Sequence, residues 1–266
     1  MLGELDWDTY WRFEAFRRAC DPLDFRRWKR DSQRALRELY PGEGVRLLDS
    51  TAGMGDHTVN LAEEGFVVEA CDESAVARAE TEAAVRAAGL AVPVFEAAWE
   101  RLAETHAARW DLIFNDALHW TWDEAALRAQ LAGFLGALKP GGALVFFFAD
   151  ARMPEEGAGL QLLEEDWGGP EPRVAWSHAK DGRRVTLTVM KERGPDYIDA
   201  HHLFHDQRAG GAPTLETLTM REVYRWDWHA LSRLLADVGF VDVRSDVFPN
   251  RAKGYDFAMN RAFRPR

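Results

Sequence analysis

The sequence predicts a doubly wound α/β fold, a seven-stranded and mostly parallel sheet flanked by helices, with an antiparallel β lid inserted into it and helices placed before it. Three observations carry this prediction. Short apolar stretches alternate with amphipathic helical stretches from Val45 to Asp150, β-leaning segments without that alternation follow to about Trp226, and one helix and two strands close the chain. Apolar strands separated by helices need crossover connections, and such connections build a parallel sheet covered on both faces.

In chain order, residues from about Leu5 to Tyr40 carry aromatic and apolar side chains at helical spacing among many Arg, Lys and Glu. The pattern breaks at Asp21-Pro22, which predicts two short helices lying across one end of the fold. Strand VRLLDS begins at Val45, and a loop and helix run to Glu64. Then come FVVEACD, a helix from Ser74 to Ala88, VPVFEA, a short irregular stretch, WDLIFND, a helix from Asp123 to Leu138, and ALVFFFAD. After Asp150, the segments RRVTLTVM, YIDAHHLFH and TLETLTMREVYR show no strong helix and read as an antiparallel sheet over the strand ends. A helix from about Asp227 to Val238 stops at Gly239, and FVDVRSDVF and YDFAMNRAFR, joined by a loop with Pro249 and Gly254, complete the main sheet. The predicted division is 1–150 for the N-terminal helices and core, 151–226 for the lid, and 227–266 for the returning helix and hairpin.

Composition narrows the function. The chain of 266 residues is 47% hydrophobic, enough for a sizeable core. Its longest obvious apolar run, Ala143 to Ala149, is far below the roughly 18 residues that cross a bilayer. The start, MLGELDWDTYWRFE, is acidic and aromatic where a secretory signal has a basic start and an apolar stretch, so a cytoplasmic protein is expected. Cys20 and Cys71 have no metal-type spacing, and no disulfide is expected. A formal net charge of −11 repels a phosphate backbone, so a small molecule rather than nucleic acid is the expected partner. Eleven Trp fit either a large aromatic core or an aromatic-lined pocket. The lid is large enough to serve also as a contact in a homo-oligomer, which the sequence leaves open.

In an open α/β sheet the ligand lies beyond the carboxyl ends of the strands, near the point where strand order reverses. The segment LLDSTAGMGD ends a strand at Asp49 and turns through Ala52, Gly53 and Gly55 into a helix at about Asp56. Glycine permits positive φ and a close approach of ligand to backbone, and the free N–H groups of the helix face the ligand. Asp72 closes the next strand, 17 residues after Gly55, where a carboxylate can accept both hydroxyls of a ribose or cap the following helix. A nicotinamide dinucleotide site wants a third glycine where Thr58 stands. The charges of Asp49, Asp56 and Asp72 repel a diphosphate but suit a ligand carrying a sulfonium and an ammonium group. That favours S-adenosylmethionine.

The order LLDSTAGMGD, VVEACDES, FEAAW, WDLIFNDALHW and LKPGGALVFFFAD resembles the class I S-adenosylmethionine-dependent methyltransferases, whose core is Rossmann-like. Within them, EEGF after the glycine loop, the EAAW segment, an Asn followed four positions later by His, and Asp-x-Arg after the fifth strand resemble the glycine and sarcosine N-methyltransferase branch. The resemblance implies that Asp49, Thr51, Ala52, Gly53, Gly55 and Asp56 cradle the methionine portion and that Asp72, with Glu73 beside it, holds the ribose. It further implies that Ala98 and Trp99 border the adenine, although the family has Asn where this chain has Ala98. The Arg26-Arg27 pair resembles the arginine that binds the methionine carboxylate, and a solvated helix face is the other reading. Asn115 and His119 match positions that hold the acceptor amine, with Asn115 also beside the cofactor, and Arg152 matches an arginine that grips an acceptor carboxylate. MPEE after Arg152 departs from the family, so glycine itself is not implied.

The expected chemistry is direct in-line displacement by the amine of an amino-acid-like metabolite, releasing S-adenosylhomocysteine. It needs alignment and exclusion of water but no metal. His201, His202 and His205 in the lid invite a metal reading, but on a strand His201 and His205 stand about 13 Å apart, too far to share one ion. The rival readings are an O- or C-methyltransferase of a carboxylated or phosphonate metabolite, a non-catalytic cofactor-binding protein, and a nicotinamide-dependent oxidoreductase.

Overall fold

The computed structural model describes residues 5–21, 25–148, 155, 158–250 and 255–266, apart from the side chains at 28, 119, 148, 250 and 255. In chain order the elements are α1 (Trp7–Cys20), a 3-10 turn (Arg27–Lys29), α2 (Arg30–Leu39), β1 (Arg46–Asp49), α3 (Asp56–Glu63), β2 (Val67–Cys71), α4 (Ala75–Ala87) and β3 (Val94–Phe95). A second 3-10 turn (Trp99–Arg101), α5 (Leu102–His106), β4 (Trp110–Asn115), a third 3-10 turn (Leu118–Trp120), α6 (Glu124–Ala137) and β5 (Leu138–Phe148) complete the alternating part. Then follow α7 (Ala158–Trp167), β6 (Arg173–Lys180), β7 (Arg183–Arg193), β8 (Tyr197–Arg208), β9 (Thr214–Val223), α8 (Trp228–Val238), β10 (Val241–Asn250) and β11 (Tyr255–Phe263). No helix among the described residues is long and apolar enough to cross a membrane.

The chain divides into two compact units, one of Met1–Leu23 with Gly159–Arg225, the other of Asp24–Ala158 with Trp226–Arg266. The second unit holds the predicted seven-stranded sheet, in the order β10-β11-β5-β4-β1-β2-β3, parallel except where β11 runs against β5 and β10. Strand order reverses between β1 and β4, so the carboxyl ends of those strands form the switch-point crevice where such sheets bind ligands. Leu47, Leu48, Leu112, Ile113 and Phe114 are essentially inaccessible, as strands covered on both faces must be. One core layer joins Ala35 and Leu36 of α2 and Leu61 of α3 to Leu47, Val68, Phe114, Val145 and Met259 of the sheet.

Local chemistry sets the helix ends. Ser74, Asp123 and Asp227 each accept a hydrogen bond from the third backbone N–H beyond them, so α4, α6 and α8 begin on side-chain caps. Gly239 stops α8 in the left-handed region, at φ 114°.

The other unit is an antiparallel sheet, β6-β7-β8-β9, with α1 and α7. Phe13 of α1 is fully buried and stacks at 4.1 Å on Phe204 of β8, while Glu164 of α7 pairs with Arg193 of β7. Four sequence expectations change. The sequence shows α1 as part of the core's N-terminal layer, yet its apolar stripe packs on the antiparallel sheet. The stretch expected to lack a strong helix contains α7, ten residues too short to show a period, with Ala158, Leu162 and Leu163 buried. Pro249 lies in β10, opposite Asp256, rather than in the hairpin loop. In the stretch expected to be irregular, the 3-10 turn at Trp99 and α5 form local helix packed against α6.

That packing is close. A Cβ added at Gly133 of α6 would lie 2.0 Å from the Trp99 carbonyl oxygen, a backbone atom that cannot swing aside. Helix propensity alone favours Gly133→Ala by about 1 kcal/mol. Overpacking is expected to reverse the sign and destabilise by about 1–3 kcal/mol, read as a lowered Tm in thermal unfolding; a raised Tm would show that the turn at Trp99 is not held by this contact.

Candidate active site

The carboxyl ends of β1, β2 and β4 converge on one constellation of polar groups. Asp49, the last residue of β1, is fully buried; its carboxylate accepts from the Thr51 N–H at 3.2 Å and the Thr58 hydroxyl at 2.6 Å. Burial pushes its carboxyl above the ordinary range, the more so with Asp116 nearby, while His57 and the hydrogen bonds from Thr58 and Thr51 pull the other way. Thr58, standing where a dinucleotide loop has glycine, thus ties the helix to the strand end.

From Asp49 the loop turns back toward β2. The Ala52 N–H donates to the Cys71 carbonyl, and the Gly55 N–H donates to the Ala52 carbonyl. Gly55 has φ 78°, and a Cβ there would come within 3.1 Å of the Thr81 backbone in α4, so both conformation and packing require glycine. Gly53, at φ 51°, donates its N–H to Asp72 Oδ2 at 3.0 Å, and its carbonyl accepts from the Thr81 hydroxyl. Asp56 is buried in the first turn of α3.

Asp72 does not cap α4: its Oδ1 accepts from the Ser74 N–H at 2.9 Å while its Oδ2 holds the glycine loop through the Gly53 N–H at 3.0 Å. The helix cap itself is Ser74. A carboxylate offers about four lone-pair positions, and Asp72 is half-buried. Glu73 beside it is exposed, and its carboxyl is raised by partial burial and by the negative Glu100, Asp72 and Glu96. Trp99 follows Ala98 in the second 3-10 turn and donates its indole N–H to the Ser50 carbonyl at 2.8 Å, which fixes its ring beside the end of β1.

The structure gives Asn115 a different setting from the one the resemblance implies. It is fully buried; its amide donates to the Ser50 hydroxyl at 2.9 Å and its oxygen accepts from the Ala117 N–H at 2.9 Å. The amide thus ties β4 to the end of β1, and the oxygen holds the turn that follows β4. Arg26 bonds Asn60 and pairs with Glu63 on α3, and Arg27 is exposed on the first 3-10 turn. His119 lies in the third 3-10 turn, but its side chain is outside the described residues, as is all of Arg152.

Sequence reasoning missed a polar chain at the same strand ends. Gln33 Nε2 of α2 lies 2.6 Å from His57 Nδ1, and His57 Nε2 lies 2.7 Å from Asp116 Oδ2. His57 thus bridges the Gln33 amide and the Asp116 carboxylate through its two ring nitrogens. Lys29 Nζ approaches the same oxygen at 3.8 Å. Burial alone lifts the Asp116 carboxyl, but His57 and Lys29 outweigh that and hold it well below the ordinary range. The signals were present in the sequence as Asp56-His57 and Asn115-Asp116, but the partners come from separate segments.

In the other unit, His201 bonds Thr219 while His202 stacks on Tyr10, on opposite faces of β8. Burial and the neighbouring His201 lower His202 to about 4. Among the described residues no three His, Cys, Asp or Glu are grouped to hold a metal.

Comparison with known proteins bears on this constellation. Residues 47–142 match the family model described as a methyltransferase domain. A 113-residue segment is 33% identical to the glycine/sarcosine N-methyltransferase of Halorhodospira halochloris, covering 41% of this chain and 42% of that enzyme, so the match spans less than half of either protein. Among solved structures, the sugar N-methyltransferase KedS8 from a Streptoalloteichus species aligns over 100% of this chain and 95% of its own, with TM-score 0.66 and 20% identity. A S-adenosylmethionine-dependent methyltransferase of Clostridium acetobutylicum aligns over 97% of this chain and 100% of its own, with TM-score 0.66 and 17% identity. Residues 47–142 thus match a methyltransferase domain, and the fold of the chain is that of S-adenosylmethionine-dependent methyltransferases.

Proposed function

We propose that this protein transfers a methyl group from S-adenosylmethionine to the amine of a small, amino-acid-like acceptor by direct in-line displacement. The observation that carries the cofactor half is the donor set at the switch point. Asp72, Glu73 and Asp116 are accessible acceptors and the loop glycines are backbone-permissive, which suits a ribose diol and a cationic methionine end and opposes a diphosphate. The amine half is supported by relatives whose names specify nitrogen: the glycine/sarcosine N-methyltransferase and the sugar N-methyltransferase.

When bound, S-adenosylmethionine supplies a methyl group on a sulfonium, so the leaving group is already activated. The chain's residues then have to bind, align and exclude water. In this reading Thr51, Ala52, Gly53 and Gly55 form the cradle, Asp72 and Glu73 take the ribose hydroxyls, and Trp99 borders the adenine. Asn115 acts from behind, holding the ends of β1 and β4 in register. His119 and Arg152 remain assigned to the acceptor amine and carboxylate on the sequence resemblance. The acceptor must arrive or become unprotonated, since only a lone pair attacks the methyl carbon.

Release of S-adenosylhomocysteine, measured across amino acids, amino sugars, small amines and amine-free carboxylated metabolites, is expected only with amine acceptors. Turnover confined to the amine-free compounds would move the reaction to oxygen or carbon, and absence of cofactor binding in calorimetry would remove the enzyme reading. His119→Ala and Arg152→Ala are expected to cut acceptor turnover while the cofactor Kd stays near wild type; a parallel loss of cofactor affinity would assign them elsewhere.

Asp49 makes a separate prediction. Because its folded carboxyl lies above the unfolded value, the native state binds more protons as pH rises out of the ordinary carboxylate range, and stability falls across that window. Asp49→Asn removes the buried charge and keeps a side chain that can bond Thr51 and Thr58. The variant is expected to melt higher at neutral pH and to bind S-adenosylhomocysteine more weakly; a lower Tm would show that the ionised carboxylate stabilises the fold.

A further inference from the structure

The charge expected for the glycine loop does not come chiefly from the loop. Asp49 is sealed off, and both oxygens of Asp72 already hold backbone N–H groups. The accessible carboxylate at the end of β4 is Asp116, whose side chain is 31% exposed. Its backbone N–H donates to the Thr51 hydroxyl at 3.4 Å, so it stands directly beside the loop. Thr51, His57 and Lys29 are its polar partners, and a carboxylate with about four lone-pair positions keeps room for one more donor.

The company of Asp116 narrows the ligand. Lys29, 35% exposed, sets an ammonium 3.8 Å from the carboxylate, so a negative and a positive group lie side by side. That pair is the charge complement of an α-amino-acid zwitterion, ammonium toward Asp116 and carboxylate toward Lys29. His57, 5% exposed and braced by Gln33, allows the carboxylate little rotation. An ordinary surface ion pair has no such buried support.

We propose that Asp116 recognises the ammonium of the cofactor's methionine end, with Lys29 facing its carboxylate and His57 as the positioning residue that holds Asp116 in place. The inference rests on the cofactor reading above and deepens it. It assigns the amino-acid end to Lys29 and Asp116 rather than to Arg26, whose guanidinium is committed to Asn60 and Glu63.

The test is calorimetric binding of three nucleosides to the wild-type chain and to Asp116→Asn: S-adenosylhomocysteine, its analogue lacking the α-amino group, and 5′-methylthioadenosine, which lacks the whole amino-acid end. Asp116→Asn is expected to weaken S-adenosylhomocysteine about tenfold, as loss of a charged hydrogen bond does, and to leave 5′-methylthioadenosine unchanged. Removing the amino group is expected to cost about tenfold on the wild type and nothing on the variant, the signature of a direct coupling. His57→Phe should reproduce the loss, and His57→Gln, which keeps a donor, should restore part of it.

Equal cost of the amino group on both proteins, or equal weakening of 5′-methylthioadenosine, would overturn the assignment while leaving the cofactor reading intact. No binding of S-adenosylhomocysteine to the wild type would overturn both. Should Asp116→Asn fail to fold, His57→Gln takes its place in the same comparison: a smaller cost of the amino group on the variant than on the wild type upholds the proposal, and an equal cost, or no cost on the wild type, overturns it.

Discussion

The arrangement depends on how the end of β1 is closed. Asp49 and Ser50 leave the sheet where strand order reverses, and both are buried, so their polar atoms need partners there. Thr58 and Thr51 serve Asp49, while Ser50 is served by Asn115, Trp99 and the Phe114 backbone. These partners come from α3, the end of β4 and the turn after β3. Satisfying one strand end therefore fixes three segments that border the crevice. A buried donor or acceptor left unpaired costs about 1–3 kcal/mol, which makes the set hard to dismantle piecemeal.

This closure explains which site residues were legible in the sequence. Asp49, Gly53, Gly55 and Asp72 could be read because their tasks are local: a strand end, two positive-φ turns and a carboxylate a short crossover away. The parallel core was legible for the same reason, since burial on both faces forces continuous apolar runs such as LVFFF. His57, Asp116, Gln33 and Lys29 were not legible as a set. Each is ordinary in its own segment, and only the packing of α2 and the first 3-10 turn against α3 makes them one chain of contacts. The position of α1 was hidden likewise, because an amphipathic stripe announces that a helix packs and not which surface receives it.

Asn115 shows how a matched residue can change its task. Its position after β4 invites a contact with substrate, yet the neighbouring Ser50 hydroxyl captures its amide and the turn at Ala117 captures its oxygen. The next residue, Asp116, then becomes the polar group that faces outward. Successive residues leaving a strand point to opposite sides, so committing Asn115 inward presents its neighbour to the crevice. Buried and accessible polar side chains thus alternate along two adjacent residues.

The distribution of charge follows the same logic. A buried carboxylate such as Asp49 is disfavoured in its ionised form, so it is a poor source of attraction for a cation arriving from solvent. A carboxylate at the rim with a buried histidine and a lysine beside it has its proton affinity held low and so favours the ionised form. Burying one acid at the strand end while leaving another partly exposed beside it separates geometry from electrostatics. The buried acid and the rim acid are joined through Thr51, which donates to Asp49 and accepts from the Asp116 N–H. Preorganisation of this kind spares the ligand the cost of ordering its own site.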